Sequence, residues 1–113
     1  MRLEKEEKET AYIIAGYLRP KKGERLAESQ KSICDWLSLR DIKVSPSKFR
    51  ELVNFLRNEA SEPILSTNKG YYYPKDASDL ISFIKRLEGR IATQKKTLLK
   101  LKYIAIEWTT KTE

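Results

Sequence analysis

Histidine is absent from the 113 residues, and cysteine occurs once, at Cys34. A disulfide within the chain is excluded, and a Cys/His zinc site has no ligand set to draw on. The side chain that most often moves protons near neutral pH is missing. So are the GxxxxGK loop, the GxSxG elbow and the HExxH helix. Carboxylates are scattered, so neither catalysis nor a cofactor is expected. No apolar run approaches the roughly 20 residues of a membrane span. The charged start, MRLEKEEKET, does not read as a signal peptide. The expected location is therefore the cytoplasm, with no membrane partner. Glycine and proline number only four each, so their positions act as punctuation.

Charge of one sign is in excess. The formal net charge is +7, which favours an anionic partner such as nucleic acid. The surplus is uneven. Arg2, Lys5 and Lys8 are offset by Glu4, Glu6, Glu7 and Glu9. Between Lys85 and Lys102, seven Lys and Arg residues face only Glu88.

The segment Ser45–Tyr73, SPSKFRELVNFLRNEASEPILSTNKGYYY, is the most informative. Ser45 suits a helix N-cap and Pro46 the first helical position. Phe49, Leu52, Val53 and Leu56 then form one apolar face. At about 100° per residue, Ser47, Arg50, Glu51, Asn54 and Asn58 point the other way, with Arg57 at the margin. Pro63 cannot continue the helix. Ile64–Ser66 reads as a short strand, Thr67-Asn68-Lys69-Gly70 as a turn, and Tyr71–Tyr73 as the return strand.

Upstream, a helix is expected over about Leu3–Leu18, with Ala11, Ile14, Ala15 and Leu18 on one face. Arg19-Pro20-Lys21-Lys22-Gly23 breaks it. Arg25-Leu26-Ala27 reads as a very short strand. A second helix over about Ser29–Leu39 has Ile33, Trp36 and Leu37 as its core face. Leu26 and Leu39 would extend that cluster, and Ile42 and Val44 would tuck in from the turn Arg40–Val44.

The segments KSICDWL, VSPSKFRELVNFLR and PILSTNKGYYYP, in this order, resemble the winged helix-turn-helix DNA-binding proteins of phage and prophage type. The resemblance covers roughly residues 10 to 75. It implies a winged helix DNA-binding domain over 1–75, mainly α with a small β-hairpin; a long C-terminal helix over 76–113 is a separate signal, read from its own periodicity. The resemblance also implies double-stranded DNA as partner, in transcription regulation or phage replication. The third helix would enter the major groove. There Ser47, Arg50, Asn54 and Arg57 are side chains able to reach base edges. Ser45 and Lys48 would hold phosphates at the helix start. Thr67, Asn68 and Lys69 at the turn would touch the backbone or minor groove. Arg50 has an alternative role, pairing with Asp35 or Glu51. The three tyrosines read as strand packing, Tyr71 and Tyr73 on one face and Tyr72 on the other, in preference to stacking on single-stranded bases.

In the C-terminal helix, Asp76-Ala77-Ser78-Asp79 supplies the cap. Leu80, Ile84, Leu87, Ile91, Gln94, Leu98, Leu101, Ala105 and Trp108 then recur in steps of four and three, a heptad seam. Ile81, Phe83 and Ile104 broaden it at both ends. The part from Leu80 to Leu87 could pack on the preceding domain or on the first helix. The sequence offers no obvious cover for the later part of the seam, so a homodimer is expected, joined through Ile91, Leu98, Leu101, Ala105 and Trp108. The basic run reads as the solvated exterior of that coiled coil, with phosphate contact as the alternative. A rival reading makes the chain a protein–protein adaptor, with the long helix as its working part.

Overall fold

A computed structural model describes residues 3–111. The chain is mainly helical, with one two-stranded antiparallel hairpin. In order it forms α1 (Lys5–Leu18), a single 3-10 turn (Glu24–Leu26), α2 (Gln30–Ser38), α3 (Pro46–Asn58), β1 (Leu65–Thr67), β2 (Gly70–Tyr72) and α4 (Ala77–Lys111). It divides into two compact units, Met1–Leu80 and Ile81–Glu113. The division expected at 75/76 lies before this one, which falls at the end of the first turn of α4.

The helices of the first unit start where their caps dictate. Glu7 accepts a hydrogen bond from the Glu4 backbone N–H at 2.8 Å. Ser29 Oγ accepts from Ser32 N at 3.0 Å, and Ser45 Oγ from Lys48 N at 3.1 Å. Each satisfies a donor that the helix itself leaves unpaired. The apolar faces then close on one another. Ala11, Ile14, Ala15 and Leu18 of α1, Ile33 and Leu37 of α2, and Phe49, Leu52, Val53 and Leu56 of α3 are all buried. Burying each large side chain contributes about 1.5–3 kcal/mol. Trp36, Ile42 and Val44 pack against this cluster as partly buried neighbours.

Leu26 and Leu39 do not extend the core; they are 50% and 87% exposed. Leu39 lies at the C-cap of α2, where the chain turns away through Asp41 at φ 60°. Leu26 is exposed because its segment is not a strand. Lys22 bridges Tyr73 in the parallel sense, whereas Glu28 bridges Tyr71 in the antiparallel sense. A chain that pairs in opposite senses six residues apart must reverse between them, and the 3-10 turn is that reversal.

The hairpin pairs Leu65 with Tyr72, Ser66 with Tyr71 and Thr67 with Gly70. Both strands lie one residue from their expected bounds, because the turn is the two residues Asn68-Lys69 rather than four. β2 is held on its other edge by Glu28, through Tyr71 N to Glu28 O at 2.8 Å and Glu28 N to Tyr71 O at 2.9 Å. That approach leaves no room beside Gly70, where an added Cβ would lie 2.3 Å from the Glu28 carbonyl oxygen. Gly70 also holds φ 129°, a conformation L side chains rarely adopt.

The tyrosines pack as strand residues. Tyr73 enters the core cluster, Tyr71 meets the Phe49 ring edge-on at 5.1 Å between centroids, and Tyr72 is buried opposite Leu65. The Tyr73 hydroxyl donates to Glu62 Oε2 at 2.6 Å, and Arg19 pairs with the other oxygen of that carboxylate. Burial pushes the Glu62 carboxyl up, but the Tyr73 and Arg19 donors outweigh it and hold it below its ordinary 4.5.

The second unit is the rest of α4, a helix of 35 residues in all, about 52 Å long. Its cap is the expected one: Asp76 Oδ1 accepts from Asp79 N at 3.2 Å, and Asp79 Oδ2 accepts from Lys75 N at 2.9 Å.

Two outcomes follow from these contacts. Gly70→Ala should cost about 2–4 kcal/mol, from backbone strain plus the clash. Urea unfolding measures it, and a loss below about 1 kcal/mol would show that Glu28 moves aside freely. Because folding lowers the Glu62 pKa, its contribution is complete above the unfolded value near 4.5 and disappears as pH falls through the folded value. Glu62→Gln should therefore make the urea midpoint fall less steeply than in the parent between pH 5 and 3; parallel curves would contradict this.

Candidate nucleic-acid interface

The outer face of α3 is set by its inner one. With Phe49, Leu52, Val53 and Leu56 buried, the helical repeat leaves Ser47, Arg50 and Asn54 exposed on the opposite side. Ser45 and Ser47 lie at the N-terminus, their hydroxyl oxygens 3.4 Å apart. Ser45 Oγ is already the cap acceptor, so its free capacity is as a donor.

The three cations of this helix have different fates. Lys48 Nζ bonds to Glu7 of α1 and lies 2.9 Å from Glu51 Oε2. The hydrogen bond to Glu7, then that to Glu51, raises the Lys48 pKa, and Lys48 holds the Glu7 carboxyl low in return. Lys48 thus ties α3 to α1 and neutralises Glu51, the one carboxylate on this face that would repel phosphate. It is not a free phosphate clamp. Glu7 lies 41 residues away in sequence, so no local pattern announced it.

Arg57 is engaged within the fold. Its Nε donates to the Ile64 carbonyl oxygen at 2.7 Å and a terminal nitrogen donates to Ser66 Oγ at 3.1 Å. Partly buried, it fastens the last turn of α3 to the start of the hairpin instead of standing open for base contact. The periodicity had left it at the margin of the polar face; the Pro63 turn brings β1 back across it.

Arg50 moves the other way. Asp35 is held by Lys31 at 2.9 Å and Glu51 by Lys48, so both expected competitors are engaged. Arg50 is exposed and forms no ion pair among the described residues. Its guanidinium is the open cation on α3. Asn54 is exposed beside it along the helix, lining a shallow depression with Phe55 and Asn58. At the hairpin turn Asn68 and Lys69 are exposed, while Thr67 Oγ1 accepts from Lys69 N at 3.2 Å and stiffens the tip.

In the second unit Ile91, Leu98, Leu101, Ala105 and Trp108 are all exposed, Trp108 by 69%. Ile84 and Leu87 are exposed too. A further apolar lane, Leu99, Tyr103 and Ile106, runs beside the heptad seam. Steps of four and three mark it in the sequence as well, but over too short a span to stand out. Lys95 and Lys102 separate the two lanes. The seven basic residues from Lys85 to Lys102 are spread around the helix at 100° per residue and make no single row for a phosphate backbone.

Comparison with known proteins adds no relative: no family model matches the chain, nor does any curated protein or solved structure.

The clamp assigned to Arg57 has a measurable consequence. Arg57→Met should lower stability by about 1–3 kcal/mol, because Ile64 O and Ser66 Oγ lose charged donors. Urea unfolding reads this directly, and unchanged stability would return Arg57 to the ligand-facing set.

Proposed function

We propose that this chain is a winged helix-turn-helix protein that binds double-stranded DNA as a dimer, in transcription regulation or phage replication. The observation that carries this reading is the outer face of α3. It presents Ser47, the unpaired Arg50 and Asn54 in one row, with no unneutralised carboxylate among them. Arg forks to guanine and Asn to adenine in the major groove. The helix is followed at once by a hairpin, which Arg57 holds against the end of α3. Asn68 and Lys69 at its tip suit phosphate or minor-groove contact. The order of helix, helix, helix and hairpin, and the net charge of +7, agree with the same reading. In it the chain is a cytoplasmic binding protein and not an enzyme.

A second reading, a protein–protein adaptor, draws on one observation: the apolar seam of α4 from Ile84 to Trp108 is exposed. There the partner would be another protein and the α3 face merely solvated. The two readings differ in what they require of Arg50 and Asn54.

Fluorescence anisotropy against duplex DNA at roughly 50–200 mM salt tests the proposal. Affinity should fall steeply with salt as counterions are released. The double change Arg50→Ala, Asn54→Ala should weaken binding by about 2–4 kcal/mol, at about 1–3 kcal/mol per base contact, and leave the assembly mass unchanged. No duplex binding at low salt would overturn the DNA reading and favour the adaptor.

A further inference from the structure

The seam of α4 is apolar and exposed along its length, and the residues beside it discriminate between the ways a second copy can cover it. Ile84, Ile91, Leu98 and Ala105 occupy the a positions, and Leu87, Gln94, Leu101 and Trp108 the d positions. In a parallel pair each g residue faces the e residue five places on in the other helix. Arg90 would then meet the partner's Lys95, twice by symmetry. Phe83 would meet the partner's Glu88, and no opposite charges would meet at all. Trp108 would lie against its own copy, as would Ala105, one layer overfilled and the next underfilled.

An antiparallel pair sets a against d, e beside e, and g beside g. When Ile84 lies opposite the partner's Leu101, and Leu87 opposite the partner's Leu98, Glu88 falls beside the partner's Lys95 on both sides. Phe83 falls beside the partner's Ile104. These two apolar residues widen the seam at its opposite ends, and only an antiparallel arrangement brings them together. Arg90 meets the partner's Thr97, so no like charges oppose. A slip of one heptad either way sets Glu88 against the partner's Glu88 or Lys95 against the partner's Lys95. Gln94 is the one polar group in this seam, opposite the partner's Ile91, and its long stem lets the amide reach water at the rim.

We propose that α4 pairs antiparallel with a second copy of itself, in the register that places Ile84 against the partner's Leu101. The pairing rests on the dimer in the proposed function and adds its direction and register. The helix starts then lie at opposite ends of the pair, with Ile81 and the partner's Ile81 about 35 Å apart along the axis.

Spin labels on a Glu107→Cys variant, in a Cys34→Ser background of the full chain, read the arrangement through their separation. Glu107 is exposed and off the seam. The proposed register gives about 43 Å along the axis, heptad slips give about 33 or 54 Å, and a parallel pair about 10–25 Å. A distance in any of the last three ranges overturns the proposal and leaves the DNA reading standing. A monomeric mass at tens of micromolar by light scattering overturns the dimer as well. Charge reversal gives an independent sign. Lys95→Glu should weaken the dimer roughly tenfold by setting like charges beside Glu88, and Glu88→Lys in the same chain should restore it. A parallel pair would be strengthened by Lys95→Glu alone, through Arg90, and that result would refute the antiparallel arrangement.

Discussion

Burial of the Phe49–Leu56 stripe is the constraint from which the first unit follows. These side chains meet Ile14 and Leu18 of α1 and Ile33 and Leu37 of α2 in one apolar cluster. A helix has a single rotational setting once such a face is covered. The direction of Ser47, Arg50 and Asn54 is therefore a consequence of packing rather than a separate feature. The Lys48–Glu7 contact adds little energy at a solvent-exposed position. Its effect is local: it uses up a cation and cancels a carboxylate, so that Arg50 alone gives the face its positive character.

The hairpin depends on the same core through a different kind of interaction. Two short strands are marginal by themselves. Here they are fastened at three places: Arg57 to β1, Glu62 between Arg19 and Tyr73, and the Glu28 backbone to β2. Gly70 is required by the last of these, since any side chain would strike the Glu28 carbonyl. Directed backbone bonds thus complete what apolar burial begins, and the exposed turn at Asn68 and Lys69 rests on a stiff base.

The second unit obeys the opposite condition. None of its described side chains is buried; in the proposed pairing a second copy covers the stripe that defines it. The flanking charges then matter more than the seam itself. Leu and Ile layers accept either helix direction, whereas Glu88, Arg90 and Lys95 do not. In the proposed reading, one chain combines a head whose specificity is set by an outward polar face with a helix whose pairing is set by three flanking charges.

The sequence by itself determined the helices, their caps and their buried faces. Ser45 with Pro46, Asp76 with Asp79, and the spacing of Phe49, Leu52, Val53 and Leu56 are local patterns, and local hydrogen bonding and periodicity suffice to read them. The hairpin and its tyrosine packing were legible for the same reason. Tertiary structure alone decided the strand near Arg25, which became a reversal because its neighbours Lys22 and Glu28 bridge Tyr73 and Tyr71 in opposite senses. It also decided the exposure of Leu26 and Leu39. Among the candidate contact residues it gave Arg57 and Lys48 partners within the fold and left Arg50 without an ion pair among the described residues. Each of those outcomes depends on a partner distant along the chain or on a turn that folds back, such as Glu7 on α1 or Ile64 beyond Pro63. A side chain's type and helical angle say which way it points; only the assembled fold says what is already waiting there.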